Sequence, residues 1–301
     1  MGIQSEIIRL KKKKNITILS HNYQKGEIQD IADFVGDSLE LAKMARGIES
    51  SKILFAGVRF MAETAKILSP EKRVILPVIE AGCEMADMVD IEALKRMKSK
   101  NPKAAVVAYV NTTAEVKALS DICCTSANAV KIVNSLTEDE IIFLPDKNLA
   151  AFVQRQTSKK IIPYNGWCYV HDQINENDIS RAREKYPNAI LFIHPEARER
   201  IQLMADYVLS TGGMVKKAGE LGDEEFIVGT EEGMIYRLKR LYPEKKFYAL
   251  RDKPALRCVN MKKTRIEDIK IALKEESPEI TLDSSVIESA GRAIERMLKL
   301  S

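Results

Sequence analysis

The chain alternates short unbroken apolar runs with segments whose apolar positions recur at helical spacing. The runs "ITILS" (16–20), "KILFAG" (52–57) and "KRVILPV" (72–78) are rich in β-branched residues, as buried parallel strands are. Between them, "LELAKMARGI" and "RFMAETAKIL" space their apolar residues as helices do, and Pro70 stops the second. A further helix is expected from about Ile28 to Val35, ended by Gly36. The same order returns with "AVVAYV" (105–110), "TSANAV" and "EIIFL" (140–144). It returns again with "AILFI" (189–193), "STGGMVKKAG" and "EFIVG" (225–229).

Each round closes on a cysteine: "KRVILPVIEAGC" at Cys83, "KKIIPYNGWC" at Cys168 and "KKFYALRDKPALRC" at Cys258, 85 and 90 residues apart. Asp33, Asp121 and Asp206 are each followed five residues later by a hydroxyl, Ser38, Ser126 or Thr211. This period is too long for a solenoid unit. It predicts an α/β protein of three pseudo-threefold-related, three-layer αβα domains with short parallel sheets. The expected spans are 1–84, 85–170 and 171–259, followed at 260–301 by a helical tail packing back on the body.

Three equivalent cysteines on a threefold axis converge on one point. Three thiolates there bind a metal or cluster and leave one coordination position open. Without the repeat register, separately buried cysteines would be the ordinary reading. Cys123 and Cys124 break the register and read as apolar packing. Trp167 is expected to pack over the Cys168 turn, and His171, three residues on, to support it.

The first strand of each repeat ends in polar or aromatic residues: His21-Asn22-Tyr23-Gln24, then Tyr109 with Asn111 and Thr112, then His194-Pro195-Glu196. Ligands of open α/β sheets bind at such carboxyl ends. Ser38, Ser126 and Thr211 each stand at a predicted helix start. Capping accounts for a hydroxyl there, and an anion bound at the helix N-terminus is the second reading.

Composition narrows the classes. The 301 residues are 45% hydrophobic and 30% charged, with a formal net charge of +4, as in soluble globular proteins. The one basic run, Lys11–Lys14, suits a solvated helix end, so no nucleic-acid partner is expected. No stretch approaches 18 apolar residues and the N-terminus has no signal-like apolar region, so no membrane association and a cytoplasmic location are expected. Five cysteines form no disulfide framework. Neither a GxGxxG nor a Walker A pattern occurs.

The segments "HNYQ", "DIADFVGDSLELA", "YVNTTAE", "TSANAV", "HPE", "STGGM" and "GTEEGMIYRLKRLYP" together resemble the quinolinate synthase family, essentially from end to end. The resemblance implies three α/β domains around one 4Fe–4S cluster on Cys83, Cys168 and Cys258. It also implies condensation of iminoaspartate with dihydroxyacetone phosphate to quinolinate, phosphate and water in NAD biosynthesis. The implied substrate contacts are His21, Ser38, Tyr109, Val110, Asn111, Ser126, His194, Pro195, Glu196 and Thr211, with Tyr23 close by. Glu196, His194, His21 and Tyr23 are the expected acid–base groups, Glu196 first among them as base. Functional coupling to an aspartate oxidase or dehydrogenase is compatible with this chemistry. Gly166-Trp167-Cys168 departs from the Gly-His-Cys of many members, and the C-terminal Cys-x-x-Cys of some is absent. Two rivals stand beside this reading: a non-enzymatic iron–sulfur sensor, and a structural zinc protein with His171 as fourth ligand.

Overall fold

The computed structural model describes residues 2–301, so that only Met1 of the first expected span lies outside it. Twelve strands form three sheets, each of four parallel strands. The first sheet contains β1 (Ile16–His21), β2 (Phe34–Gly36), β3 (Lys52–Ala56) and β4 (Arg73–Ile75), in the order β2-β1-β3-β4. The second contains β5 (Ala105–Tyr109), β6 (Ile122–Cys124), β7 (Glu140–Leu144) and β8 (Lys160–Pro163), ordered β6-β5-β7-β8. The third contains β9 (Ile190–Ile193), β10 (Tyr207–Val208), β11 (Glu225–Gly229) and β12 (Lys246–Ala249), ordered β10-β9-β11-β12. In each sheet the strand order reverses beside its first strand, so the crevice opens at that strand's carboxyl end.

The short strands β2, β6 and β10 were not expected from the apolar pattern. The segment expected as a helix to Val35 is helical only over Gly26–Ile31 and then turns into β2, which includes Gly36. The repeated aspartates make that turn. Asp33 Oδ2 accepts from the Ile18 N–H at 2.8 Å, and the Asp33 N–H donates to the Ile18 carbonyl at 2.9 Å. Asp121 brackets Val106 in the same way (2.7 and 3.0 Å), and Asp206 brackets Leu191 (2.7 and 3.1 Å). Each carboxylate thus pins a short strand to its neighbour, which compensates for how few ladder bonds two or three residues can make.

Both expected tail helices form, Ile266–Glu275 and Ser284–Lys299. The first buries Ile266, Ile269 and Leu273 against Ile7, Ile16 and Ile18 on one face of the first sheet. The chain between the helices then runs along the free edge of β4, where the Ile280 N–H donates to the Val74 carbonyl at 2.8 Å. The second helix buries Ala290, Ala293, Ile294 and Met297 in a single apolar core that the first and second repeats share. The third repeat keeps its own cores.

Candidate active site

A cavity of about 70 Å³ opens where the three sheets point their carboxyl ends at one another. Cys83, Cys168 and Cys258 line it, together with His21, Tyr23, Ser38, Tyr109, Asn111, Ser126, His194, Glu196 and Thr211. Val110 and Pro195 do not reach its wall. They are buried behind it, where the Val110 N–H donates to the Cys124 carbonyl and the Pro195 carbonyl accepts from Gln202. Among the described residues that line the cavity there is no Lys or Arg, whereas Asp37, Glu196 and Glu231 are present.

Glu196 is the best-held group. Its Oε1 accepts from the Tyr109 hydroxyl at 2.7 Å, and its Oε2 lies 2.8 Å from His171 Nδ1. Burial opposes the charge, but His194, His171 and the Tyr109 hydroxyl outweigh it and hold the carboxyl at about 2. His171 Nε2 lies 2.8 Å from Thr230 Oγ1, which lies 2.6 Å from the Tyr23 hydroxyl. In the neutral ring, a proton on Nδ1 leaves Nε2 as acceptor. The bonds then run one way from Tyr23 O–H to Thr230 and from Thr230 O–H to His171, whose Nδ1–H faces Cys168 Sγ at 3.2 Å, with Glu196 Oε2 2.8 Å from the same nitrogen. Burial, with Glu196 nearby, pushes the Tyr23 and Tyr109 phenols well above their usual range.

The strand-end histidines are built alike. His21 Nδ1 accepts from the Tyr23 N–H at 3.1 Å, and His194 Nδ1 from the Glu196 N–H at 3.4 Å. Burial holds each at about 3, so both stay neutral and carry their proton on Nε2. His171 stacks on His194 at 4.5 Å. The Tyr23–Thr230–His171 chain was not legible in the sequence, where His171 read as support for the cysteine site or as the fourth ligand of a zinc. A threonine after a strand carries no local signal, and it meets Tyr23 across 207 residues.

The three hydroxyls reach the cavity, but none of them caps a helix. Asp37 caps Ser38–Gly47 by accepting from the Leu39 and Glu40 N–H groups, both at 2.9 Å. Ser210 caps Thr211–Glu220 by accepting from Gly213 at 3.0 Å. Ser126 lies in a turn ahead of the helix Ala129–Asn134, where Asn128 Oδ1 accepts from the Thr125 N–H. Neighbouring residues cap the first and third of these helices, and the second has no side-chain cap, so none of the three hydroxyls is spent on capping. The Gly212 amide also helps to hold the Asp37 carboxylate, and a Cβ on Gly212 would lie 2.5 Å from Asp37 Oδ2. The close approach at Gly212 thus serves a side-chain anion of the protein itself.

The cysteine turns are braced by acids that the sequence reading passed over. Asp146 Oδ1 accepts from the Leu149 N–H at 2.6 Å and its Oδ2 from the Cys168 N–H at 3.2 Å. Glu231 repeats this with Gly233 (2.7 Å) and Cys258 (3.1 Å). Val58 stands at the corresponding place in the first repeat, so Cys83 has no such brace. A Cβ on Gly166 would lie 2.6 Å from the Pro145 carbonyl oxygen, so the turn before Cys168 admits only glycine. Lys147 Nζ lies 4.5 Å from the centre of the Trp167 ring. Cys123 and Cys124 are fully buried in β6, away from the cavity.

Cys168, His171 and Glu196 bring metal-ligating atoms within 4.8 Å of one another. Both His171 ring nitrogens have partners: Nδ1 has Cys168 Sγ at 3.2 Å with Glu196 Oε2 beside it, and Nε2 has Thr230. The trio is held together by direct contacts between its own members.

The family model described as quinolinate synthetase A protein matches residues 5–299. A protein of Methanoregula boonei named quinolinate synthase is 50% identical over 298 residues, covering 99% of this chain and 98% of the relative. A quinolinate synthase of Pyrococcus abyssi is 50% identical over 303 residues, covering 100% of both chains. One of Thermodesulfovibrio yellowstonii is 51% identical over 296 residues, covering 98% and 97% respectively.

Proposed function

The chain belongs to the quinolinate synthetase A family, and from that premise we propose that it condenses iminoaspartate with dihydroxyacetone phosphate to quinolinate, phosphate and water in NAD biosynthesis. The observation that carries this reading is the meeting of three repeat-equivalent cysteines and the polar strand ends of all three sheets at one cavity.

The donor set fits an iron–sulfur cluster. Thiols suit iron–sulfur centres, and three half-buried ones line a single cavity. Burial pushes Cys83 up to about 12 and raises Cys168 and Cys258, so binding a cationic centre must release their protons. When bound, a 4Fe–4S cluster on Cys83, Cys168 and Cys258 would supply one iron position free to polarise a substrate oxygen or nitrogen.

The remaining work falls to the chain itself. Glu196 is an ionised, buried base. Moving each bonded proton one step carries one from the Tyr23 phenol through Thr230 to His171, whose Nδ1 lies against both Cys168 Sγ and Glu196 Oε2, and the reverse shift returns it. Tyr23 can thus take a proton from substrate as its own passes to Thr230, without exchange with solvent. His21 and His194, neutral with Nε2–H, can donate hydrogen bonds to substrate oxygens. Ser38, Ser126 and Thr211 offer hydroxyls to its anionic groups, in a wall without basic side chains.

Anaerobic purification tests both parts. Wild-type protein should contain about four irons and form quinolinate from the two substrates. Cys168→Ala should lose the iron, and Cys124→Ala should keep it. Full iron in Cys168→Ala would overturn the ligand assignment. A fully loaded protein that forms no quinolinate would favour the sensor.

A further inference from the structure

Thr211 is the first residue of its helix, 3% exposed and on the cavity wall. Its protein partner is Asn22, 1% exposed, whose Nδ2 donates to Thr211 Oγ1 at 3.1 Å. The bond crosses from the first repeat to the third. It also has a direction. An amide N–H gives its proton and takes a lone pair, so the hydroxyl's own proton is left unspent.

The neighbouring amides are not equally free. Gly213 N–H donates to Ser210, and Gly212 N–H helps to hold Asp37. The Thr211 hydroxyl is therefore the side-chain donor that this helix start can turn toward a ligand. Asn22 itself is held from both sides: its N–H donates to the Gly36 carbonyl at 3.0 Å, and its carbonyl accepts from Gln29 Nε2 at 3.1 Å. The backbone bonds hold the residue in place, and its side-chain amide, whose Oδ1 has no protein partner, spends its N–H on the hydroxyl.

We propose that Asn22 is a positioning residue that orients the Thr211 hydroxyl as a donor to an anionic oxygen, carboxylate or phosphate, of the substrate. This rests on the reading of Thr211 as a substrate contact. Hydrogen bonds to charged groups are worth more than neutral ones, so losing the oriented donor should weaken anion binding about tenfold or more.

The test uses iron-loaded protein with quinolinate and inorganic phosphate as separate probes, measured by calorimetry. Thr211→Val removes the hydroxyl at constant shape and should weaken whichever probe it contacts by about tenfold. Asn22→Ala should weaken the same probe, with unchanged iron content and thermal midpoint. The double variant should be no worse than Thr211→Val alone, because one residue acts through the other. Asn22→Asp reverses the polarity, since the acid can only accept and would draw the Thr211 proton back, so it should weaken the probe at least as much as Thr211→Val. Steady-state kinetics should show a raised KM for the matching substrate with a smaller change in kcat. If Asn22→Ala does not fold, Asn22→Ser, too short to reach Thr211, takes its place. Additive losses in the double variant, or an unchanged probe affinity in the Asn22 variants while Thr211→Val loses it, would overturn the positioning role alone. No loss in Thr211→Val would overturn the substrate contact and, with it, the inference.

Discussion

The first and second repeats meet through apolar side chains, whereas the third meets both of them through polar ones. One continuous core runs from Leu19 and Phe55 through Val107 and Phe143, and the helix Ser284–Lys299 drives Ile294 and Met297 into it. Across the other seam lie Tyr23–Thr230, Asn22–Thr211, Tyr109–Glu196, Asn148 with the Glu196 carbonyl (3.0 Å), and Tyr236 with Asp30 (2.7 Å). An apolar seam tolerates no water and holds two bodies as one. A polar seam can exchange partners with water and ligand, so relative motion is the default expectation there. The proposed chemistry lies on the polar seam, where groups from different repeats must be both fixed and reachable.

The largest effect should come from cutting the polar seam at its charged centre. Glu196→Gln keeps shape and removes the base, so the rate should fall about 10²–10⁴-fold with the iron content intact. A near-wild-type rate would remove Glu196 from the chemistry. Adding Tyr23→Phe to Glu196→Gln should cost less than the two single losses combined, if both ends share one relay.

On the apolar seam, Ile294 is fully buried. Ile294→Ala should cost about 2–5 kcal/mol of stability, read by denaturant unfolding, and the folded fraction should keep its activity. A rate loss like that of Glu196→Gln with unchanged stability would erase the distinction between the seams.

Acid should loosen the polar seam first. His21 and His194 are held near 3 in the fold, against about 6.5 unfolded. The unfolded chain therefore binds more protons between those values, and stability should fall as pH drops below about 6.5. The Glu196 carboxyl is depressed, so its contribution is present above its ordinary range and fades as pH falls toward 2. His21→Asn should reduce the slope of stability against pH by up to about 1.4 kcal/mol per pH unit. An unchanged slope would show that His21 is not buried neutral. The smallest effect belongs to the rim of the seam: Asp30, partnered by Tyr236 and Arg240, is partly exposed, and Asp30→Ala should cost about 1 kcal/mol or less in unfolding experiments.

The repeat itself was legible by eye because its marks are chemical: a cysteine after a glycine or alanine turn, an aspartate five residues before a hydroxyl, a polar tail on a β-branched run. The aspartates were visible as spacing, and their work as strand pins was not, since Asp33 and Ile18 bond only once the chain has looped back. Ser38 and Thr211 looked like caps because hydroxyls suit that position. Asp37 and Ser210 occupy it one residue earlier, a distinction of backbone angle that residue preference does not resolve.

What the amino-acid order determined by itself is therefore the number of repeats, the order of the long strands and helices, and which cysteines and strand-end polar residues stand in register. Periodicity and turn chemistry are local, and they act within a few residues. The chain of contacts from Tyr23 through Thr230 and His171 to Cys168 and Glu196, the acid braces on Cys168 and Cys258, and the contrast between apolar and polar seams were decided only by tertiary structure. Their partners come from different sheets, or from separate strand ends of one sheet. No local pattern brings together a phenol and a hydroxyl 207 residues apart, and packing three sheets by their carboxyl ends does.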